Sequence, residues 1–147
     1  MRRYFEVTHV VTFADTNVAG NVYFASHLAW QGRCRELFLA EHAPGVLARL
    51  DGDLALVTVS CSCDYYAELH AFDTVSVRMS LRERRGGRIT MDFDYYLTGR
   101  GAARLVARGR QTIACMTRTG GGLVPADPPD DLAQALDAYA PGAPVTP

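Results

Sequence analysis

Phe13-Ala14-Asp15-Thr16-Asn17-Val18-Ala19-Gly20-Asn21-Val22-Tyr23-Phe24 separates a short β-branched run from a long apolar one. It is rich in small polar residues and contains a glycine. Such residues sit where a backbone bends sharply and approaches a ligand. Upstream, residues 4–12 read as a strand. Downstream, residues 22–42 read as one long helical region. Trp30, Cys34, Leu37 and Phe38 share one helical face. Leu28, Gly32, Arg35 and Leu39 form a second stripe, so this helix is expected to be covered on several sides. Gly32 costs up to ~1 kcal/mol against alanine inside a helix. A close approach of backbone to some neighbour would explain it. Pro44-Gly45 marks the exit.

Beyond the helix the period changes. Residues 54–68 read as a long strand, and 73–83 and 88–98 as two more. Arg84-Arg85-Gly86-Gly87 joins the latter two as a hairpin. Residues 102–118 form a last long strand that Gly120-Gly121-Gly122 ends, and 130–138 a short surface helix. The plan is one strand, one long helix and four antiparallel strands. A sheet this apolar must wrap the only long helix available. One α+β domain is expected over residues 1–140, with a loose, Pro- and Ala-rich tail at 141–147.

Composition narrows the chemistry. The chain has 147 residues and a formal net charge of −1, so no bulk attraction to nucleic acid or membranes is expected. All 15 basic residues are arginine. Schiff-base lysine chemistry and a Gly-Lys-Ser/Thr phosphate loop are therefore excluded. No segment approaches 18 apolar residues and no signal-peptide core is visible, so a cytoplasmic protein is expected. Cys34, Cys61, Cys63 and Cys115 read as reduced, buried thiols. Their spacing offers no metal site. There is no Gly-x-Ser-x-Gly and no Gly-x-Gly-x-x-Gly, which removes the α/β-hydrolase and dinucleotide readings.

Two blocks carry a resemblance: Thr16-Asn17-Val18-Ala19-Gly20-Asn21-Val22-Tyr23-Phe24, and Trp30-Gln31-Gly32-Arg33-Cys34-Arg35-Glu36-Leu37-Phe38-Leu39 running on to Glu41-His42-Ala43-Pro44. Through them the chain resembles hotdog-fold thioesterases of the 4-hydroxybenzoyl-CoA thioesterase branch. It looks closest to the thioesterases of enediyne polyketide biosynthesis. The likeness extends to about residue 118. It implies a long central helix wrapped by a five-stranded antiparallel sheet, and paired subunits assembled as a dimer or a tetramer.

The resemblance also implies a site. In the broader branch an Asp that acts as base or nucleophile stands where this chain has Asn17. An amide takes no proton at neutral pH, so Asn17 would orient water or bind the carbonyl oxygen. The plainer reading is that Asn17 turns the loop. Arg35 would stabilise the developing oxyanion, or else make a structural ion pair. The backbone N–H of Phe24 would polarise the thioester carbonyl. His27 stands where relatives carry a tyrosine, either as a hydrogen-bonding or acid–base group or as filler. Tyr23, Gly32 and Thr58 would line the substrate path, and Asp15 would structure the loop. His9, His42 and His70 read as structural. Asp64 and Glu68 would flank the channel.

The implied activity is hydrolysis of a polyene thioester from an acyl carrier protein, followed by decarboxylation of a β-keto acid, in antibiotic biosynthesis. No cofactor is implied, because the substrate brings its own phosphopantetheine. The arginines of 78–88 and 100–110 would receive an acidic carrier, or simply form a solvated hairpin. An acyl-CoA thioesterase of general metabolism, a non-catalytic acyl-thioester-binding module and an acyl-thioester dehydratase are the alternatives.

Overall fold

A computed structural model describes residues 3–142. Most of the expected tail, residues 143–147, lies outside the described residues. The strands are β1 (Phe5–Val10), β2 (Leu54–Tyr65), β3 (Thr74–Arg85), β4 (Arg88–Thr98), β5 (Arg104–Thr119) and β6 (Gly122–Pro125). The helices are α1 (Phe24–His42), α2 (Pro44–Leu50) and α3 (Asp130–Asp137), and a single 3-10 turn covers Phe13–Asp15. The strands form one sheet in the order β1-β3-β4-β5-β2, and every pairing is antiparallel. A sixth strand was not expected. The glycine run does end β5, but the chain folds straight back, and β6 pairs Met116–Thr119 of β5.

Pro44 explains the second difference. Pro disfavours helix at the residue before it, and Ala43 leaves the helical region at φ −143° and ψ 56°. Pro also suits a helix's first turn, where its missing N–H costs nothing. One residue therefore stops α1 and starts α2.

The sheet curls around α1. Trp30, Cys34 and Phe38 are buried against it, together with Leu54, Val77, Met79, Phe93, Tyr95 and Ile113. Leu37, expected on the same face, is exposed. Gln31, a polar residue not expected in the core, is wholly buried. The second stripe is covered only in part: Leu39 is buried, while Leu28, Gly32 and Arg35 are half-buried. Among the described residues nothing outside its own helix turn approaches Gly32, since a Cβ built there meets no such atom within 4 Å. The close approach lies elsewhere. A Cβ at Gly109 would stand 2.1 Å from Gln31 Nε2, which donates to the carbonyl of Ser62 at 2.9 Å. Gly109 thus lets a helix amide dock on the β2–β5 ladder. No described helix is long and apolar enough to cross a membrane. Cys34 and Cys115 are buried, but Cys61 on β2 is exposed and Cys63 is half-exposed.

Candidate active site

The loop between β1 and α1 is built by Asp15. Its Oδ2 accepts the Thr12 N–H at 3.0 Å and pairs with His9 Nε2 at 2.9 Å. Its carbonyl accepts the Tyr23 N–H at 2.8 Å and the Ser26 hydroxyl at 3.0 Å. Burial pushes the Asp15 carboxyl up, but the Thr12 and His9 hydrogen bonds outweigh it and hold the group below its ordinary value. Asp15 therefore does structure the loop, and His9 is held in it. His42 also has a structural setting, with Nε2 at 3.2 Å from Tyr139 Oη.

Beyond Asp15 the chain makes a small turn. The Asn17 N–H donates to Asn21 O at 3.0 Å, and the Gly20 N–H donates to Asn17 O at 3.0 Å. Gly20 has φ +90°, which glycine adopts without cost. The Asn17 side chain is part of this turn, because Oδ1 accepts the Ala19 N–H at 2.9 Å. That bond commits the oxygen to the loop and leaves Nδ2 as a donor. The structural and the chemical readings of Asn17 are compatible.

A second segment closes on the first. The Val22 N–H donates to Leu69 O at 2.8 Å, and Asn21 bridges His70. Between the two segments and the start of α1 lies a cavity of about 380 Å³. Asn17, Asn21, Val22, Phe24 and His27 line one side, and Tyr65, Tyr66, Ala67, Glu68 and Leu69 the other. The first backbone N–H groups of α1 have no partner within the helix and carry its positive partial charge. The cavity thus combines a side-chain amide donor with a helix N-terminus.

His27 is the unusual member. Only 3% of it is exposed, and neither ring nitrogen has a hydrogen-bond partner. Trp30, Tyr65 and Tyr95 pack their rings around it, with centroids 5.0, 4.8 and 5.3 Å away. Burial lowers its pKa to about 4, so it is neutral at physiological pH. Tyr65 crosses over it and donates to Phe24 O at 2.6 Å.

Of the expected site residues, the structure brings together Asn17, Phe24 and His27. It does not bring Tyr23, Gly32, Arg35 or Thr58 to this cavity. Tyr23 is exposed and packs on Phe24, with ring centroids 4.6 Å apart. Arg35 lies eleven residues beyond Phe24 on α1, about 16 Å along the axis. Its Nη1 donates to Gln111 Oε1 at 2.7 Å and to Thr58 Oγ1 at 3.3 Å. Burial lowers the Arg35 pKa. Within one chain, Asn17 and Arg35 do not face a common cavity. Sequence reasoning missed Tyr65 and Leu69, which join the site only through long-range pairing. Glu68 is the one carboxylate lining the cavity, and it stands largely exposed, with Oε1 3.4 Å from Asn21 Nδ2. Asp64, expected beside it, faces the outside of the sheet.

That outer face carries a larger depression of about 480 Å³, lined by Asp64, Arg82, Asp92, Asp94, Arg108 and Arg110 among others. Its charges are matched internally. Arg110 and Arg82 reach Asp92 at 3.3 and 3.5 Å, and Arg108 reaches Asp94 at 3.2 Å. It holds none of the expected catalytic or substrate-lining residues, but it includes Asp64 and, in Arg82, Arg108 and Arg110, part of the arginine set expected to receive a carrier. The smaller cavity is the one that gathers Asn17, Phe24 and His27.

Comparison with known proteins agrees with this placement of the fold. A family model described as the thioesterase-like superfamily matches residues 11–136. The 1,4-dihydroxy-2-naphthoyl-CoA hydrolase of Synechocystis sp. is 30% identical over 107 residues, 72% of this chain and 76% of that protein. A crystal structure of the dynemicin thioesterase, described in terms of polyene binding, superposes with a TM-score of 0.92 at 55% identity, covering 96% of this chain and 100% of that one. The 4-hydroxybenzoyl-CoA thioesterase of Pseudomonas sp. strain CBS-3 shares the fold, with a TM-score of 0.77 at 17% identity over 90% of this chain and 99% of that one. The chain belongs to the thioesterase-like superfamily, as a hotdog-fold thioester hydrolase.

Proposed function

We propose that this protein releases a polyketide acyl chain, a polyene, from an acyl carrier protein in enediyne biosynthesis. The support for that substrate is the 55% identity to the dynemicin thioesterase over nearly the whole chain. The observation that carries the chemistry is Asn17: its oxygen is committed to the loop, which leaves Nδ2 to donate, and it lines the same cavity as Phe24 at the start of α1.

The thioester carbonyl binds with its oxygen toward Asn17 Nδ2 and the Phe24 N–H. Water adds to the carbonyl carbon, and negative charge gathers on the oxygen these donors hold. The carbon–sulfur bond then breaks and the thiol leaves on its phosphopantetheine arm, with no cofactor needed. Donors fixed before reaction lose little in reorganisation, and each is worth roughly 10²–10³ in rate. If the released acid carries a β-keto group, loss of carbon dioxide gives a methyl ketone. Arg35 belongs in this reading only through a second chain, because its own cavity does not reach it. A joined pair of chains, alone or doubled into a tetramer, is therefore part of the proposal.

The test is hydrolysis of carrier-bound polyene with mass spectrometry of the product. Asn17→Ala is expected to lower kcat/KM by about 10²–10³. Glu68→Gln is expected to retain most activity, and its inactivation would overturn a mechanism without a carboxylate base. A conjugated thioester product would indicate a dehydratase. Among the described residues the shortest His–carboxylate pair, His9–Asp15 at 2.9 Å, lies outside the cavity lining, and His70 stands 3.7 Å from the lining residue Glu68, too far for a hydrogen bond. The Synechocystis relative favours CoA thioesters as the second reading, and the kcat/KM ratio for carrier against CoA substrate decides between them.

A further inference from the structure

Phe72 is the one described non-glycine residue with a positive φ, at +72°. The left-handed region is unfavourable for a bulky side chain and free for glycine. Phe72 also does not pay this cost by filling the core, since it is 66% exposed. It meets a second exposed ring, Phe13, 74% exposed, at 5.3 Å between centroids and 68° between planes. Val10, at the end of β1, is exposed as well. The chain just past β1 is tied to the Phe72 segment by backbone: the Phe72 N–H donates to Val11 O at 2.7 Å and the Val11 N–H to Asp73 O at 2.9 Å. The segment is further fixed by Asp73, whose Oδ2 accepts the His70 N–H at 2.9 Å. The two rings form an exposed aromatic platform on a strained backbone, and a contact with another molecule would account for that strain.

Position and charge say what that is. Phe13 and Phe72 begin and end beside the two segments that wall the cavity, 17–24 and 65–69. They lie at the β1–β3 side of the sheet, which the strand order places at the opposite edge from β2. A chain joined through β2 leaves them uncovered. The turn between β4 and β5 reaches the same end, because Thr74 pairs with Thr98. It presents Arg100, 70% exposed and 2.8 Å from the buried Asp73, and Arg104, which makes no ion pair among the described residues. The arginines of the outer sheet face are engaged by Asp92 and Asp94, and Arg100 is held at this end by Asp73, which leaves the exposed Arg104 as the unpaired positive charge of the turn.

We propose that the Phe13–Phe72 platform with Arg100 and Arg104 is the docking surface for the acidic carrier domain, holding it where its arm can enter the cavity. This rests on the reading of the protein as a carrier-dependent thioesterase. Apolar anchors supply the affinity, and the arginines supply encounter rate and orientation.

The experiment compares one acyl group, decanoyl, delivered on an isolated polyketide-synthase acyl carrier domain and as its N-acetylcysteamine thioester. Phe72→Gly is expected to raise KM for the carrier substrate by at least tenfold, leave hydrolysis of the small thioester within twofold, and keep or raise Tm. Phe72→Asn, which also tolerates this φ, is expected to behave alike. Arg104→Glu is expected to lower kcat/KM for the carrier substrate and flatten its salt dependence. Equal effects on both substrates, or none on the carrier, would overturn the assignment. So would a change in oligomeric mass for Phe72→Gly, which would mean that a second copy covers the platform. If the wild type also left carrier-bound polyene uncleaved, the functional reading would fail, and calorimetric titration with the carrier domain would still decide the surface, through loss of binding in Phe72→Gly.

Discussion

A histidine whose two ring nitrogens are both buried and unpaired has a measurable cost. His27 has a folded pKa near 4, against about 6.5 in an unfolded chain. Between those values the unfolded chain binds a proton that the folded chain refuses. Stability therefore falls as pH drops from about 6.5 toward 4. The loss from this one residue should be about 2 kcal/mol at pH 5 relative to pH 7.5. His27→Phe, which keeps a ring among Trp30, Tyr65 and Tyr95, should remove that part of the slope in denaturant titrations across this range. An unchanged slope would mean that His27 is not neutral and enclosed. The resemblance implied a histidine in place of a tyrosine, but not that it is sealed, because two of the three sealing rings come from β2 and β4. Gln31 was less legible still. An amide on a helix reads as surface until its partner, the carbonyl of Ser62, comes into view from 31 residues away.

Elements dock here through a few close approaches. Ala in place of Gly109 would put a methyl into the Gln31 amide, and the Ser62 carbonyl beside it lies 3.0 Å from the same Cβ. Overpacking of this kind costs about 1–3 kcal/mol, and the displaced hydrogen bond adds to it. Gly109→Ala should thus lower Tm markedly. Gln31→Ala in the same chain should recover part of the loss, and a double-mutant cycle measures that coupling. The long helix, the β3–β4 hairpin and α3 were all legible, since each has its own period or turn chemistry. The short α2 and β6 were not. Pro44 and the glycine run were read as endings, and the local signals for stopping one element also allow the next to begin.

At the scale of the molecule, β2 is an outer strand with an unpaired edge. It is 12 residues long, irregular between Thr58 and Ser60, and carries an exposed Val59. Long exposed edges invite pairing with another chain. Val59→Lys should shift the sedimentation coefficient toward a single chain and lower hydrolysis with it. Loss of assembly with full activity would sink the joined-pair reading and would also remove Arg35 from the chemistry. Five of the six strands were legible as a pattern, yet their order was not, because β2 and β5 meet across the 38 residues that separate Tyr65 from Arg104. The outer rows of alternating Arg and Asp were hidden for the same reason: Arg78, Asp94, Arg108 and Asp64 come into line only when β3, β4, β5 and β2 are set in register.

The two cavity walls are stitched to each other by the Val22–Leu69 hydrogen bond and the Asn21–His70 bridge. For anyone hoping to retune acyl preference by transplanting loops between relatives, they are a single cassette. A graft of one wall alone breaks the stitches and should yield a slack, poorly selective enzyme, whereas exchanging both together preserves the seam and moves the preference with it.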